Sequence, residues 1–192
     1  MTEKEKMLAS QIYNANDDTE LLMARIRTKD LCYEYNNLKP SQKEERNKTM
    51  RKILGKVKKN FWIEQPFWCD YGCHIEIGEN FYSNHNLVLL DANKIIIGDN
   101  VFIGPNCGLY TAGHPLDSKQ RREGLEYAKP IKIGNNVWIG GNVVILPGVT
   151  IGNNCVIGAG SVVTKDIADS VVAVGNPCRV IKSIDETILI KE

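Results

Sequence analysis

The chain has 192 residues, with 24 Lys and Arg against 23 Asp and Glu and a formal charge of +1. A length in this range suits one domain with a sizeable core, or one domain and a small appendage. The balanced charge excludes a global field for nucleic acid or an anionic membrane, and no apolar run approaches the roughly eighteen residues of a membrane span.

The opening decapeptide, MTEKEKMLAS, is charged where a signal peptide would be apolar, so a cytoplasmic protein is expected and the six cysteines are read as reduced thiols. Thr2 and Glu5 have capping-box spacing, opening a short helix through Met7, Leu8 and Ile12. Asp17 to Thr19 can cap a second helix, with Leu22, Ile26 and Tyr33 as its apolar residues. Ser41 with Glu44, after Pro40, opens a third that runs to Gly55 and carries Met50, Ile53 and Leu54 on one face. Helices this short are marginal alone, so they are expected to pack on the first turns of the remaining chain and to cover its open edge.

The rest of the chain is repetitive. An aliphatic residue recurs every six positions at Ile133, Ile139, Ile145, Ile151, Ile157 and Val163, with small or aliphatic residues four later at Val137, Val143, Val149, Cys155 and Ser161. The same phase holds upstream at Ile97, Ile103 and Leu109, while Ile77, Ser83 and Leu89 sit two residues out of phase, so a wider turn is expected at residues 91–94. Gly134, Gly140, Gly152 and Gly158 come directly after the aliphatic residue and are expected to supply the positive φ of tight corners. A helix wants a period near 3.6 and a meander wants longer alternation. Three short strands per coil, stacked as a parallel solenoid, fit the six-residue period.

Between residues 111 and 130 the repeat stops for a polar stretch that begins TAGHP. A smooth coil has no pocket, so a cleft must come from such an insertion or from a neighbouring subunit. His114, one of three histidines, stands at its root. A histidine there is either a proton acceptor working near neutral pH or a structural residue; His74 and His85, away from the insertion in a strand and a coil, read as structural. The cysteine pair in CDYGC has C-x3-C spacing with no second pair behind it, which argues against a zinc knuckle. Cys107 and Cys155 fall on inward positions, and a covalent cysteine mechanism finds no motif.

The segments YNANDDTELLMARIR, LCYEYN, YGCHIEIGENFYSNHNLVLLD, IGDNVFIGPNCGLYTAGHP and GNPCRVIKSI together resemble the maltose and galactoside O-acetyltransferases among the hexapeptide-repeat acyltransferases. The resemblance implies a mainly β fold, a left-handed parallel β-helix over residues 59–184 with the loop insertion at 111–130, a helical leader over 1–58 and a tail over 185–192. It implies direct transfer of acetyl from acetyl-CoA to a sugar hydroxyl, the 6-hydroxyl, with His114 as general base and Asn84 orienting the acceptor or holding the transition state. Asp17, Arg25, Asp70, Tyr82 and Asp91 fall where family members contact the sugar, although Asp17 also reads as a plain helix cap. Ala92 departs from the galactoside enzymes, which carry a second aspartate there. The pattern puts Trp138, Gly141, Ala159 and Gly160 along the pantetheine arm, and Thr164, Lys165, Arg179 and Lys182 near the nucleotide and phosphates. Without it, Trp138 reads equally as a subunit contact and the basic residues as a solvated face. A homotrimer with sites between subunits is expected, with no metal, nucleic acid or membrane partner. Two alternatives stay open: a non-sugar or xenobiotic hydroxyl acceptor, and a zinc-dependent carbonic anhydrase-like protein, against which stands the wide spacing of the three histidines.

Overall fold

A computed structural model describes residues 1–184 of the chain; the expected tail lies outside the described residues. Helix α1 (Glu3–Leu8) opens with the expected capping box, the Glu5 carboxylate accepting the Thr2 N–H at 2.8 Å. It stops short of Ile12 because Ser10 turns the chain at φ 58°. Helix α2 (Thr19–Asn37) is capped by Asp18, whose carboxylate accepts the Leu21 N–H at 2.9 Å.

The inner face of α2 is not the expected one. Leu21, Thr28, Cys32 and Tyr35 are buried, whereas Leu22, Ile26 and Tyr33 stay exposed. Apolar residues lie on several sides of this helix, and hydrogen bonds select among them: the Thr28 hydroxyl donates to the Tyr71 carbonyl and the Tyr35 hydroxyl to the Ile63 carbonyl. Helix α3 (Lys43–Ile53) also starts later than expected, at Gln42 and without a side-chain cap. The Gln42 side chain instead accepts the Lys39 N–H at 2.9 Å, which closes the preceding turn and leaves the Ser41–Glu44 pair unused. Met50, Ile53 and Leu54 face inward, as expected.

The remaining strands stack into a parallel β-solenoid with three faces. An aromatic face holds Phe61–Ile63, Phe81–Ser83, Phe102–Ile103, Trp138–Ile139, Val156–Ile157 and Val171–Val174, closed by the antiparallel strand Arg179–Ser183. Its outward row runs in register through Trp62, Tyr82, Phe102, Trp138 and Val156. A valine face holds Phe67–Cys69, Leu87–Leu90, Gly108–Tyr110, Val144–Ile145 and Val162–Val163, with Trp68, Val88, Val144 and Val162 outward. A charged face completes each coil and presents Lys56, Glu76, Ile96, Lys132 and Thr150. All six aliphatic positions from Ile133 to Val163 are buried and belong to one continuous core. The wider turn at residues 91–94 separates Leu87–Leu90 from Ile95–Ile97, as the phase slip requires.

The corners correct one expectation. Gly134, Gly140, Gly152 and Gly158 do not hold the positive φ; Asn80, Asn86, Asn100, Asn106, Asn136, Asn142 and Asn154 do, between 54° and 62°. Asparagine tolerates this conformation better than other side-chain-bearing residues, and here its amides bond from coil to coil, as in Asn80 to Asn100 and Asn100 to Asn136 at 3.0 and 3.1 Å. The glycines serve close approach. A Cβ on Gly140 would lie 2.6 Å from the Ala159 nitrogen of the next coil, so stacking admits no side chain there.

Matching corners stand 20 residues apart in the early coils, 36 apart across the insertion and 18 apart after it. The extra length forms the antiparallel pair Ala112–Gly113 and Leu125–Ala128, with the short helix α4 (Ser118–Arg122) at its tip. The leader strand Tyr13–Asn14 adds to the other side of Leu125–Ala128 and makes a three-stranded sheet. Met7, Tyr13, Leu21, Tyr71, Ala92 and Ala128 form a small second core beneath it.

Candidate active site

A cleft of about 580 Å³ opens where α2, the three-stranded sheet and one edge of the valine face meet. Arg25, Asp70, Tyr71, Tyr110, His114 and Glu126 line it. His114 comes directly after Ala112–Gly113, and its Nδ1 lies 3.0 Å from the Leu125 carbonyl oxygen on the partner strand. A carbonyl only accepts, so Nδ1 carries a proton, and in the neutral ring the lone pair is on Nε2.

Arg25 is fixed from both sides, donating to the Tyr71 hydroxyl at 2.8 Å and to the Ala15 carbonyl at 3.0 Å. Burial pushes the Asp70 carboxyl up, against the opposing pull of Arg25 and Lys29. Burial likewise pushes the Tyr71 phenol up to about 12, so it stays a neutral hydrogen-bonding group.

Asp91 is a correction to the expected acceptor set. It is fully buried beneath the cleft, where one carboxylate oxygen accepts the Asp70 and Tyr71 N–H groups at 3.0 and 2.8 Å and the other accepts the His74 N–H at 3.3 Å. Its lone pairs hold the loop that carries Asp70 and are closed to an acceptor molecule. His74 lies in the turn before Ile75–Ile77 rather than in a strand, with its Nδ1 2.7 Å from the Asp91 carbonyl; burial pushes its imidazole down. His85 has its Nδ1 against the Gln65 carbonyl. Asp17 is outside the cleft lining and accepts from Asn14 at 2.7 Å, while the helix cap is its neighbour Asp18.

The other expected residues divide between two edges. Thr164 and Lys165 come after Val162–Val163, on the same edge of the valine face as the cleft. Asn84 lies at the opposite edge, its side-chain oxygen taking the His85 N–H at 2.8 Å. Gly141, Ala159 and Gly160 stack on that same far corner, the Gly160 N–H reaching the Gly141 carbonyl at 2.9 Å. Tyr82 and Trp138 point outward from the adjoining aromatic face, Trp138 with 57% of its surface exposed. Arg179 and Lys182 sit exposed on the last strand of that face. Within one chain, His114 and Asn84 are therefore kept apart by the width of the valine face.

Sequence reasoning missed Glu126 and Tyr13. Only the antiparallel pairing of the insertion with the leader brings them to the cleft. A wider groove of about 710 Å³ runs along the charged face, but no histidine or cysteine lines it and its Lys58–Asp99 and Lys56–Glu76 pairs are already satisfied. The histidine cleft is the better site. Among the described residues no cluster of three His, Cys, Asp or Glu side chains could hold a metal ion, and no helix is long and apolar enough to cross a membrane.

Known proteins match this architecture throughout. The family model for the maltose acetyltransferase hexapeptide capping motif matches residues 6–58, that for a hexapeptide repeat of succinyl-transferase 94–116, and that for six bacterial transferase hexapeptides 130–165. Galactoside O-acetyltransferase of Escherichia coli is 52% identical over 162 residues, covering 84% of this chain and 80% of that one. The crystal structure of a maltose O-acetyltransferase from Clostridium difficile superposes with a TM-score of 0.95 at 54% identity, over 97% of this chain and 99% of the other. A galactoside acetyltransferase in complex with coenzyme A gives 0.94 at 47% identity, over 97% and 92%. With the solenoid, the capping leader and the histidine-bearing insertion all in place, the chain belongs to the maltose and galactoside O-acetyltransferase family of hexapeptide-repeat acetyltransferases.

Proposed function

We propose that the protein transfers acetyl from acetyl-CoA directly to a hydroxyl, the 6-hydroxyl, of a sugar such as maltose, glucose or a galactoside, and that it works in the cytoplasm. One observation carries this reading: His114 lines the cleft with its Nδ1 against the Leu125 carbonyl, the contact that leaves Nε2 of the neutral ring as the proton acceptor. The co-substrate supplies the acetyl thioester. His114 Nε2 accepts the hydroxyl proton as the oxygen attacks and returns it to the leaving thiolate. Arg25 and Asp70, with the leader around them, orient the acceptor, since carboxylates and guanidinium groups complement hydroxyls.

The divided site supports a homotrimer. The outward row of the valine face is apolar, with Trp68 44% exposed. Three copies with this face turned toward a common axis bring the Asn84, Gly141, Ala159 and Gly160 edge of one subunit against the His114 edge of the next. Trp138, Thr164, Lys165, Arg179 and Lys182 then flank one extended groove suited to coenzyme A, and the coenzyme A complex of the galactoside relative supports that co-substrate.

The test monitors free thiol released from acetyl-CoA with a panel of mono- and disaccharides and with non-sugar alcohols. A sugar should stimulate release, and His114→Ala should lose about a hundredfold or more while still binding coenzyme A. Equal rates in wild type and variant, or stimulation by non-sugar alcohols alone, overturns the reading. Sedimentation showing a stable, active monomer overturns the shared site.

A further inference from the structure

The three-stranded sheet sets Tyr13, Glu126 and His114 in one row. Tyr13 pairs with Glu126, and Ala112 and Gly113 pair with Ala128 and Tyr127, so the next position on that strand, His114, falls opposite Glu126. Cross-strand neighbours on one face have Cβ atoms about 5 Å apart, and all three residues line the cleft. The Tyr13 hydroxyl donates to Glu126 Oε2 at 2.7 Å, and Tyr13 is buried. Burial and this carboxylate both push the Tyr13 phenol up, so it remains a donor.

Glu126 is otherwise uncommitted. Among the described residues it makes no ion pair, and its one side-chain hydrogen bond comes from a neutral phenol. A carboxylate has about four acceptor positions, so Glu126, which lines the cleft, keeps acceptor capacity on Oε1 beyond its bond to Tyr13. The Arg25 guanidinium is engaged by Tyr71 and Ala15, and the buried Ala92 in the wall offers no polar side chain.

We propose that Glu126, held by Tyr13, selects the acceptor: Oε1 accepts the hydroxyl beside the one that reacts, in a neutral, hydroxyl-rich molecule. This rests on the acetyl-transfer reading and deepens it. Asp70 and Glu126 give the cleft two carboxylates that accept from O–H donors, and Arg25 and Lys29 in the same lining balance their charge, which suits a neutral acceptor. Glu126 lies beside His114 in the row, so the hydroxyl it takes is adjacent to the nucleophile.

The experiment measures kcat and KM for glucose, maltose and each monodeoxyglucose in wild type, Glu126→Gln, Glu126→Ala and Tyr13→Phe at saturating acetyl-CoA, and the KM for acetyl-CoA at a fixed high concentration of glucose. Loss of a charged hydrogen-bond partner predicts a fall in kcat/KM for glucose of about ten- to a hundredfold in Glu126→Ala. That fall should be carried by acceptor KM, with acetyl-CoA KM unchanged. Glu126→Gln keeps an oxygen for Tyr13 and should recover part of it, and Tyr13→Phe should show a smaller loss of the same kind. One monodeoxyglucose should react equally with wild type and Glu126→Ala, and it names the hydroxyl. Unchanged acceptor KM in both Glu126 variants, or equal rises for both substrates, overturns the inference and leaves acetyl transfer by His114 standing. No turnover by wild type on any hydroxyl acceptor overturns both.

Discussion

The molecule has two cores built on different rules. The solenoid spine stacks like on like: aliphatic over aliphatic, asparagine over asparagine, glycine over backbone, each residue against its counterpart one coil away. The small core under the leader joins unlike pieces, with Met7 and Tyr13 from the first residues, Tyr71 and Ala92 from solenoid turns and Ala128 from the insertion. Repetition makes the first region stable and featureless, and grafting makes the second region a cleft. Mutations should therefore split into those that melt the protein and those that spare its melting temperature while disabling it.

The largest effect is expected at a stacking glycine. Gly140→Val forces a side chain against the backbone of the next coil and should cost about 3 kcal/mol or more, read as a fall in Tm of about 10 °C or as insoluble protein. A Tm within about 2 °C of wild type would show that coil spacing is softer than the geometry indicates. Next comes the join between regions. The buried Asn93 amide donates to the Met7 and Ala128 carbonyls at 3.0 and 3.3 Å, so Asn93→Ala removes the side chain that ties α1 to the insertion. We expect about 2 kcal/mol of local loss, seen as faster amide exchange in residues 13–14 and 125–128 and a tenfold or greater fall in kcat/KM. Unchanged exchange there would mean the leader is held by something else.

Asp91 sharpens the comparison through pH. Burial, against its three N–H partners, pushes its carboxyl up to about 7, above the ordinary value of 3.8. Between about pH 4 and 7 the folded chain thus keeps a proton that the unfolded chain has released, and this group's contribution to stability falls as pH rises through that window. Asp91→Asn, which retains one oxygen for the Asp70 and Tyr71 N–H groups, lacks the dependence. The Tm of wild type minus that of the variant should drop by about 10 °C from pH 4 to pH 7; a constant difference would place the carboxylate in its ordinary range. The smallest effect is expected at Gly160. It occupies the corner position held by Asn86, Asn106 and Asn142, at φ 73° and with open space around a Cβ, so Gly160→Asn should move stability by less than about 1 kcal/mol.

The spine was readable because its determinants are local and periodic: Ile133 and Ile139 need only their spacing to declare a buried stack. His114 was readable as a candidate because an interruption in a period is itself a signal. The packing face of α2 was not, since the Thr28 and Tyr35 hydroxyls that orient it find partners more than twenty residues away. Asp91 and Glu126 show the same limit from opposite sides. Both are carboxylates near the cleft in sequence terms, yet one is consumed by backbone N–H groups and the other is delivered by a pairing with residue 13.

That pairing has a consequence in time. The Tyr13–Glu126 bond closes 113 residues of chain, whereas a coil meets its neighbour after 16 to 36. Contacts of long separation form late, after local ones have shortened the path between their ends. On a ribosome helix α2 finds its partners at Ile63 and Tyr71 early, but the Tyr13–Asn14 strand must wait, unpaired, until residue 126 has been made and the coils between have wound. The nascent chain thus winds its early coils before its histidine cleft can close, and the coils after residue 130 stack on a scaffold that already carries it.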